Sequence, residues 1–441
     1  MSDLALALWS FPVMLGMIFF LRIPVAAAMA VTGFCGVWMV LGSPNALLAQ
    51  LKTLTYATFA SYSLSIVPLF LLMGQFATKS GLSRALFVSA SDWLGHRPGG
   101  VGMAAVGACA GFGAICGSSL ATASTMGQVA LPELKRYGYT DASATGLLAA
   151  GGTLGILIPP SVILVIYAIL TEQNIIKMFT AALIPGILAA LGYMAVIWLQ
   201  ARLGRDAPDT APRQPYAKRF RTLAATWPVF GVFAVVIGGI YLGFFTPTEA
   251  AAVGAVLTGL YALGPGRCSL ADMVECLLIA GKTTGMIFLI VFGAALFNSF
   301  LAFTRTPDSL SAYIVGLGYA PVLILIAILT IYLVFGCVMD SLSMILLTIP
   351  VFFPIVEALD FGLTPEETAI WFGVLVLIVV EVGLITPPVG LNLFVINSMA
   401  RDVPITATYR GVLPFVAADL IRVVLLVAAP ILSLWLVRVL F

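Results

Sequence analysis

Charge is what this sequence has least of. Only 9% of its 441 residues are Asp, Glu, Lys or Arg, while 61% are hydrophobic. A water-soluble domain carries roughly a quarter charged residues, so most of this surface has another solvent. There is one histidine, His96, in the Gly/Pro-rich stretch Leu94–Gly100. That leaves no histidine-based metal site or catalytic triad, and it places His96 on a solvated surface. A GxxxxGK[ST] phosphate loop is missing, which excludes ATP hydrolysis by that route. The six cysteines (Cys35, Cys109, Cys116, Cys268, Cys276 and Cys337) form no CxxC pair and lie mostly in apolar runs, as buried unpaired thiols do. The net charge of +2, with no basic patch interleaved with aromatics, gives nucleic acid nothing to bind. The N-terminus has Asp3 and no basic region before its apolar run, so it reads as a retained span and not a cleaved signal.

What is present is length without charge. Pro98–Pro132, Ala142–Thr171, Leu223–Thr248, Thr283–Thr304 and Ser309–Met339 each exceed the ~20 residues that cross a bilayer core as a helix. Backbone groups in lipid must be satisfied within their own segment, and the runs are continuous rather than alternating, so helices span and not a barrel. Apolar segments fall near 4–21, 24–42, 61–77, 101–131, 142–171, 178–200, 223–244, 248–263, 280–303, 312–338, 341–358, 368–398 and 411–440, about a dozen spans. Segments 101–131, 142–171 and 368–398 are rich in small residues or interrupted by Pro-Pro. They are candidates for re-entrant hairpins or broken helices.

One stretch is polar. Arg205–Arg221 contains three prolines, and with Arg202 it holds six Lys/Arg against two Asp, which places it in the cytoplasm. It lies near mid-chain, where a linker between halves would lie. The halves do resemble each other. Pro132, Thr140, Pro159 and Pro185 match Pro354, Thr364, Pro387 and Pro414 in the same order, at offsets of 222 to 229. Interrupted helices at repeat-related positions are the best sequence pointer to the binding site of a secondary transporter. Pro159-Pro160 and Pro387-Pro388 each remove two backbone donors, and Gly155 and Gly383 precede them. Such a break strands carbonyls that a dehydrated Na+ can use, and freed N–H groups that favour an anion.

The second element is the small and hydroxyl-rich run Gly111–Thr125, which includes Ser118, Ser119 and Thr122. Its counterpart is Gly336–Ser343, and Ser118 aligns with Asp340. Clustered hydroxyls offer oxygens to a cation or a polar solute, although small residues also serve plain helix packing. Asp340 is flanked by 31 uncharged residues before it and 16 after it, so it is a functional candidate by default. Glu381 sits just ahead of the second break. It reads equally as a cation ligand, a proton carrier or a paired structural charge, and its repeat partner is Thr153. Glu249 follows Pro247 and reads as an acid of a helix N-terminus. Lys282, Asp419 and Arg422 read as snorkelling or paired charges.

These residues carry a family resemblance. GAICGSSLATASTMGQVALP (Gly113–Pro132), GTLGILIPPS, FFTPTEAAAVGA and GLITPPVGLN, in that order over residues 5–438, resemble the large membrane subunit of TRAP transporters, the tripartite ATP-independent periplasmic transporters. The resemblance implies an all-α polytopic membrane protein of the ion-transporter superfamily. It implies two inverted-topology repeats with re-entrant hairpins and broken helices, and a transport domain that moves as an elevator against a scaffold. The implied division is scaffold helices in 1–100, a first transport repeat in 101–200, a cytoplasmic linker in 201–222, second scaffold helices in 223–311, and a second transport repeat with a C-terminal helix in 312–441. No cofactor is expected beyond Na+ as coupling ion, and no enzymatic activity. By motif, a first sodium site would use Ser118, Ser119 and carbonyls around Gly155–Ile158. A second would use Asp340 and Gly383–Thr386, and substrate would lie near Ser118, Asp340 and Asn392. Implied partners are a small four-helix membrane subunit on a separate polypeptide, a periplasmic substrate-binding protein and a small organic acid, in a bacterial inner membrane. The alternatives are a stand-alone sodium/dicarboxylate symporter of the same superfamily, or a channel or membrane scaffold.

Overall fold

A computed structural model describes residues 3–204 and 209–441. Among these residues the chain is all helical, without a strand. Two runs of five helices have the same order. The first is α1 (Gly100–Cys116), α2 (Ser119–Arg136), α3 (Asp141–Leu157), α4 (Val162–Leu170) and α5 (Ile175–Arg202). The second is α6 (Pro321–Gly336), α7 (Ser341–Glu357), α8 (Pro365–Leu384), α9 (Leu391–Met399) and α10 (Ile405–Ala428).

Each run opens with two helices joined by a tight turn. The 101–131 segment divides at Gly117, whose φ of 63° is a left-handed value that favours glycine. The 142–171 segment is two helices, α3 and α4, bent by 47° at Ile158–Ser161. Proline supplies no N–H at that break, so neither helix can continue through it. The same logic separates α8 from α9 at Pro387-Pro388. Thr140 and Thr364 cap α3 and α8, accepting hydrogen bonds from the Ser143 and Glu367 amides. The glycines two residues before them, Gly138 and Gly362, have φ of 74° and 70°.

The expected dozen spans resolve into a more varied set. Four described helices are long and apolar enough to cross a membrane singly, or seven if each of three bent pairs counts once. Six further apolar helices have 10–17 residues. At 1.5 Å per residue, the 16- to 18-residue arms of the turns reach only about 25 Å, short of a bilayer core. The 312–338 segment is divided by Gly318, with φ of 68°, between a helix Thr306–Gly316 and α6. The domain bounds drawn at 200, 222 and 311 all fall inside helices (Ile175–Arg202, Tyr216–Ala224 and Thr306–Gly316).

Residues 205–208 of the polar connection lie outside the described residues. The rest is tied down. Asp209 and Ala211 donate backbone hydrogen bonds to Tyr137 and Gly95. Tyr216–Ala224 is a helix whose Arg219, only 4% exposed, lies 5.8 Å from the Trp93 ring and 3.4 Å from His96 Nδ1. His96 is therefore half-buried under this connection instead of free in solvent.

At the centre stands α8. Its most apolar stretch is 94% buried, against 39% for both α5 and α10. A helix with a lipid-like sequence is thus wrapped in protein, contacting α6, α7, α5 and α10. Around this core run Val25–Leu41 against Leu270–Phe303, and Pro247–Ala262 against Ile66–Lys79. Gly33 meets the Leu296–Phe297 backbone and Gly254 the Met73 sulfur, so small residues let these helices approach closely. Between apolar helices in lipid, such close packing replaces a hydrophobic driving force.

Candidate functional site

The two turns meet across one cleft. Gly117, Ser118 and Ser119 of the α1–α2 turn and Asp340 and Ser341 of the α6–α7 turn line it together. Leu71 from Ile66–Lys79 and Thr283, Met286 and Ile287 from Leu270–Phe303 close it from the other side. Its cavity volume is about 130 Å³.

Ser118 and Asp340 do the same local job. Each is the N-cap of the second arm of its turn, accepting from the amide three residues on: Ala121 at 3.4 Å and Ser343 at 3.0 Å. An N-cap oxygen satisfies one of the amides that a helix start leaves unpaired. Both second arms therefore begin at the cleft, with the positive ends of their dipoles there.

Each turn is braced by the broken helix of its own half. A side chain at Gly113 would lie 2.6 Å from the Gly155 Cα, and one at Gly383 would lie 2.6 Å from the Gly336 carbonyl carbon. So α1 crosses α3, and α6 crosses α8, at paired glycines with backbones almost in contact. Gly117 likewise sits against the Pro160 carbonyl, and the Gly390 amide donates to the Cys337 carbonyl at 2.9 Å. The glycines were legible as backbone freedom at a break. Their use for helix crossing was not, because the partner lies some 40 residues away in sequence.

At the first expected sodium site, the Ser118 carbonyl lies close to Gly155. A Cβ at Gly155 would lie 2.6 Å from the Ser118 carbonyl and still closer to Thr122 Oγ1. That Thr122 hydroxyl is buried beside the Cys116 thiol and makes no hydrogen bond to a nitrogen or oxygen. In the sequence Thr122 is one of several clustered hydroxyls; the feature that sets it apart is its place one turn past the N-cap Ser118. Ile158 ends α3 and is extended there (φ −94°, ψ 121°). In the second half the groups are more engaged. Thr386 donates its hydroxyl to the Val382 carbonyl at 2.6 Å and its amide to the Gly383 carbonyl at 3.0 Å.

Asn392 stands apart. It is not among the residues lining the cleft; its Nδ2 reaches the Ala149 carbonyl of α3 at 3.4 Å, and its buried Oδ1 has no partner. It joins the second break to the first half.

Glu381 is fully buried on α8. Its Oε1 accepts from Ser341 Oγ at 2.9 Å, the Ser119 hydroxyl acts on the same carboxylate, and Oε2 has no hydrogen-bond partner. The repeat-related Thr153 faces Tyr193 Oη at 3.1 Å. Tyr193 donates to Asp419 Oδ2 at 2.6 Å, and Asp419 pairs with Arg422 at 2.9 Å. Asp419 and Arg422 are thus paired charges in the interior. Glu249 closes a capping box with Thr246, as its position after Pro247 suggests. No group of three or more His, Cys, Asp or Glu side chains suited to a metal ion occurs among the described residues.

Residues 12–432 match the family model described as tripartite ATP-independent periplasmic transporter, DctM component. The chain belongs to this TRAP transporter family, as a large permease subunit. Among its relatives is the C4-dicarboxylate TRAP transporter large permease of Pseudomonas aeruginosa, 38% identical over 86% of this chain and 87% of that one. The sialic acid TRAP transporter large permease of Vibrio cholerae is 31% identical over 84% of this chain and 85% of that one. In fold, the permease is similar to the YdaH transporter of Alcanivorax borkumensis. That likeness has a TM-score of 0.60 and 16% identity, over 87% of this chain and 88% of that one. The permease is accordingly a multi-pass membrane transport protein, and its named relatives are permeases, not enzymes.

Proposed function

We propose that the permease takes up a small organic anion, driven by a sodium gradient, in the inner membrane of a bacterium. The two five-helix sets are inverted-topology repeats of one transport domain. It moves as an elevator against the helices Val25–Leu41, Ile66–Lys79, Pro247–Ala262 and Leu270–Phe303. A small four-helix subunit enlarges that scaffold, and a periplasmic binding protein delivers the substrate. The relatives named for C4-dicarboxylate and sialic acid transport make a carboxylate the substrate class to test first.

The observation that carries this reading is the meeting of two capped turns at one cleft, with the buried Thr122 hydroxyl beside the Ser118 carbonyl. Helix starts at the cleft favour an anion, yet Asp340 there repels one. Bound Na+ resolves the conflict by neutralising the carboxylate and satisfying the stranded oxygens. A domain loaded with both ion and anion hides its polar groups while it moves; a half-loaded one would have to desolvate them, at several kcal/mol per group.

The test is uptake into proteoliposomes containing the permease and its small subunit, with the binding protein outside. Wild type should require Na+ and the binding protein. Thr122→Val should raise the Na+ concentration for half-maximal uptake by about tenfold, the equivalent of 1.4 kcal/mol. Equal uptake with K+ in place of Na+ would sink sodium coupling. Uptake without the binding protein would favour the stand-alone symporter.

A further inference from the structure

Glu381 interacts with both turns, and neither of the two expected sodium sites uses it. It accepts from Ser341 of the second turn and faces Ser119 of the first. Those two serines are 5% and 2% exposed, and both line the cleft that Glu381 lies behind. The carboxylate itself is fully buried, and its Oε2 is without a hydrogen-bond partner. An ionised carboxylate left so in an apolar interior is among the most costly arrangements a protein can hold, so this group carries either a proton or a partner cation.

The charges around it support the same conclusion. Those acting on Glu381 are Asp419 and Arg422. They pair with each other at 2.9 Å and cancel, and Tyr193 occupies the second oxygen of Asp419. With Glu381 ionised, one negative charge remains, and one monovalent cation makes the cluster neutral. The donors on offer are all oxygens, a carboxylate and two hydroxyls, which suits a hard alkali cation and not a transition metal.

We propose that Glu381, Ser119 and Ser341 form a further monovalent-cation site that bridges the two halves, with Na+ as its occupant. The expected sites each lie within one half; this one spans both. Its cation ties the start of α2 to the start of α7, so the two turns are ordered together, and occupancy of one half is felt by the other. The inference rests on the sodium-coupled reading above and adds a third place where the ion acts.

The test is the Na+ to substrate ratio, measured in the same proteoliposomes from the voltage at which net flux stops. Thermal stability of the purified subunit complex in NaCl against KCl is measured in parallel. Glu381→Gln keeps the shape and removes the charge. It is expected to transport one Na+ fewer per substrate, to need about tenfold more Na+ for half-maximal uptake, and to lose part of the stabilisation by NaCl. Ser341→Ala should keep the ratio and raise the Na+ requirement by a few fold. An unchanged ratio and unchanged Na+ dependence in Glu381→Gln overturn the proposal. So does a variant that loses a transported proton, read by an imposed pH gradient, while keeping its Na+ count. If Glu381→Gln aggregates, Ser341→Ala and Glu381→Asp decide, and unchanged Na+ dependence in both overturns it. A wild type indifferent to Na+ removes the underlying functional reading itself, whereas a sodium-dependent wild type with an indifferent Glu381→Gln removes this site alone.

Discussion

The first and second five-helix sets use one set of backbone devices and two different chemistries. In both, a threonine caps the first piece of the broken helix, glycines let it cross the turn's first arm, and an N-cap oxygen stands at the turn. The side chains at matched places differ in charge. Ser118 of the first set aligns with Asp340 of the second, and Thr153 with Glu381. Burial differs as well: Pro159 and Pro160 are buried, while Pro387 is half-buried and Pro388 exposed, its carbonyl taking the Tyr409 hydroxyl. Backbone geometry is the same in both sets where two chains of atoms almost touch, since no side chain fits there. Charge differs between them, and an N-cap allows this because it needs only an oxygen and not a particular one. The first set thus has a neutral turn and a buried break, and the second a charged turn and a more open break.

The largest effects should come where the halves are alike. Gly155→Ala places a methyl 2.6 Å from the Ser118 carbonyl, and Gly383→Ala places one 2.6 Å from the Gly336 backbone. Both should cost about 1–3 kcal/mol or more of stability, and both should abolish uptake, because backbone cannot give way as a side chain can. Melting temperature of the purified subunit complex and uptake together check this. A tolerated substitution in one half alone would end the claim that the crossings are equivalent.

Where the halves differ, the effects should separate. Asn caps a helix about as well as Asp, so Asp340→Asn should fold normally. With the charge gone, it should still lower uptake by more than about tenfold. Ser118→Ala loses the cap, at about 1 kcal/mol, with a smaller loss of uptake. Uptake at several Na+ concentrations distinguishes them. Equal losses would mean that the charge asymmetry of the cleft has no functional weight.

The smallest effect concerns the connection between the halves. Partial burial, and then the nearby Arg219, Arg213 and Arg97, hold His96 below its ordinary value of 6.5. The fold thus favours the neutral ring. Its contribution to stability is full above pH 6.5 and is lost as pH falls toward the lowered folded value, where protonation disfavours the native state. Melting temperatures at pH 7.5 and 5.5 should diverge slightly less in His96→Gln than in wild type. An identical pH dependence would show that the connection does not restrain the ring.

Much of this was readable beforehand because membranes leave few options. A Pro-Pro pair inside an apolar run must break a helix, and a repeated one must break it twice. The order of Thr140, Pro159 and Pro185 against Thr364, Pro387 and Pro414 carried over directly into matched helices. Asp340, isolated between long uncharged runs, indeed stands at the cleft. Other features stayed hidden. Asn392 reads as a site residue beside GLITPPVG, yet its amide turns to Ala149 of the other half. The role of Thr122 depends on Gly155, 33 positions away, and His96 reads as exposed only until Arg219 is folded over it.

The sequence by itself determined that the chain lives in a bilayer, where its helices must stop and which residues cap them. Those are local matters of missing N–H groups, apolar length and side chains that reach three residues along the chain. Only the tertiary structure decided which oxygens meet. It wrapped α8 in protein, set Ser118 and Asp340 at one cleft, and placed Glu381 between Ser119 and Ser341. A site built from both halves depends on distances of a few ångströms between residues more than 200 positions apart. Composition and spacing carry no record of those distances, because they are set by how the halves pack.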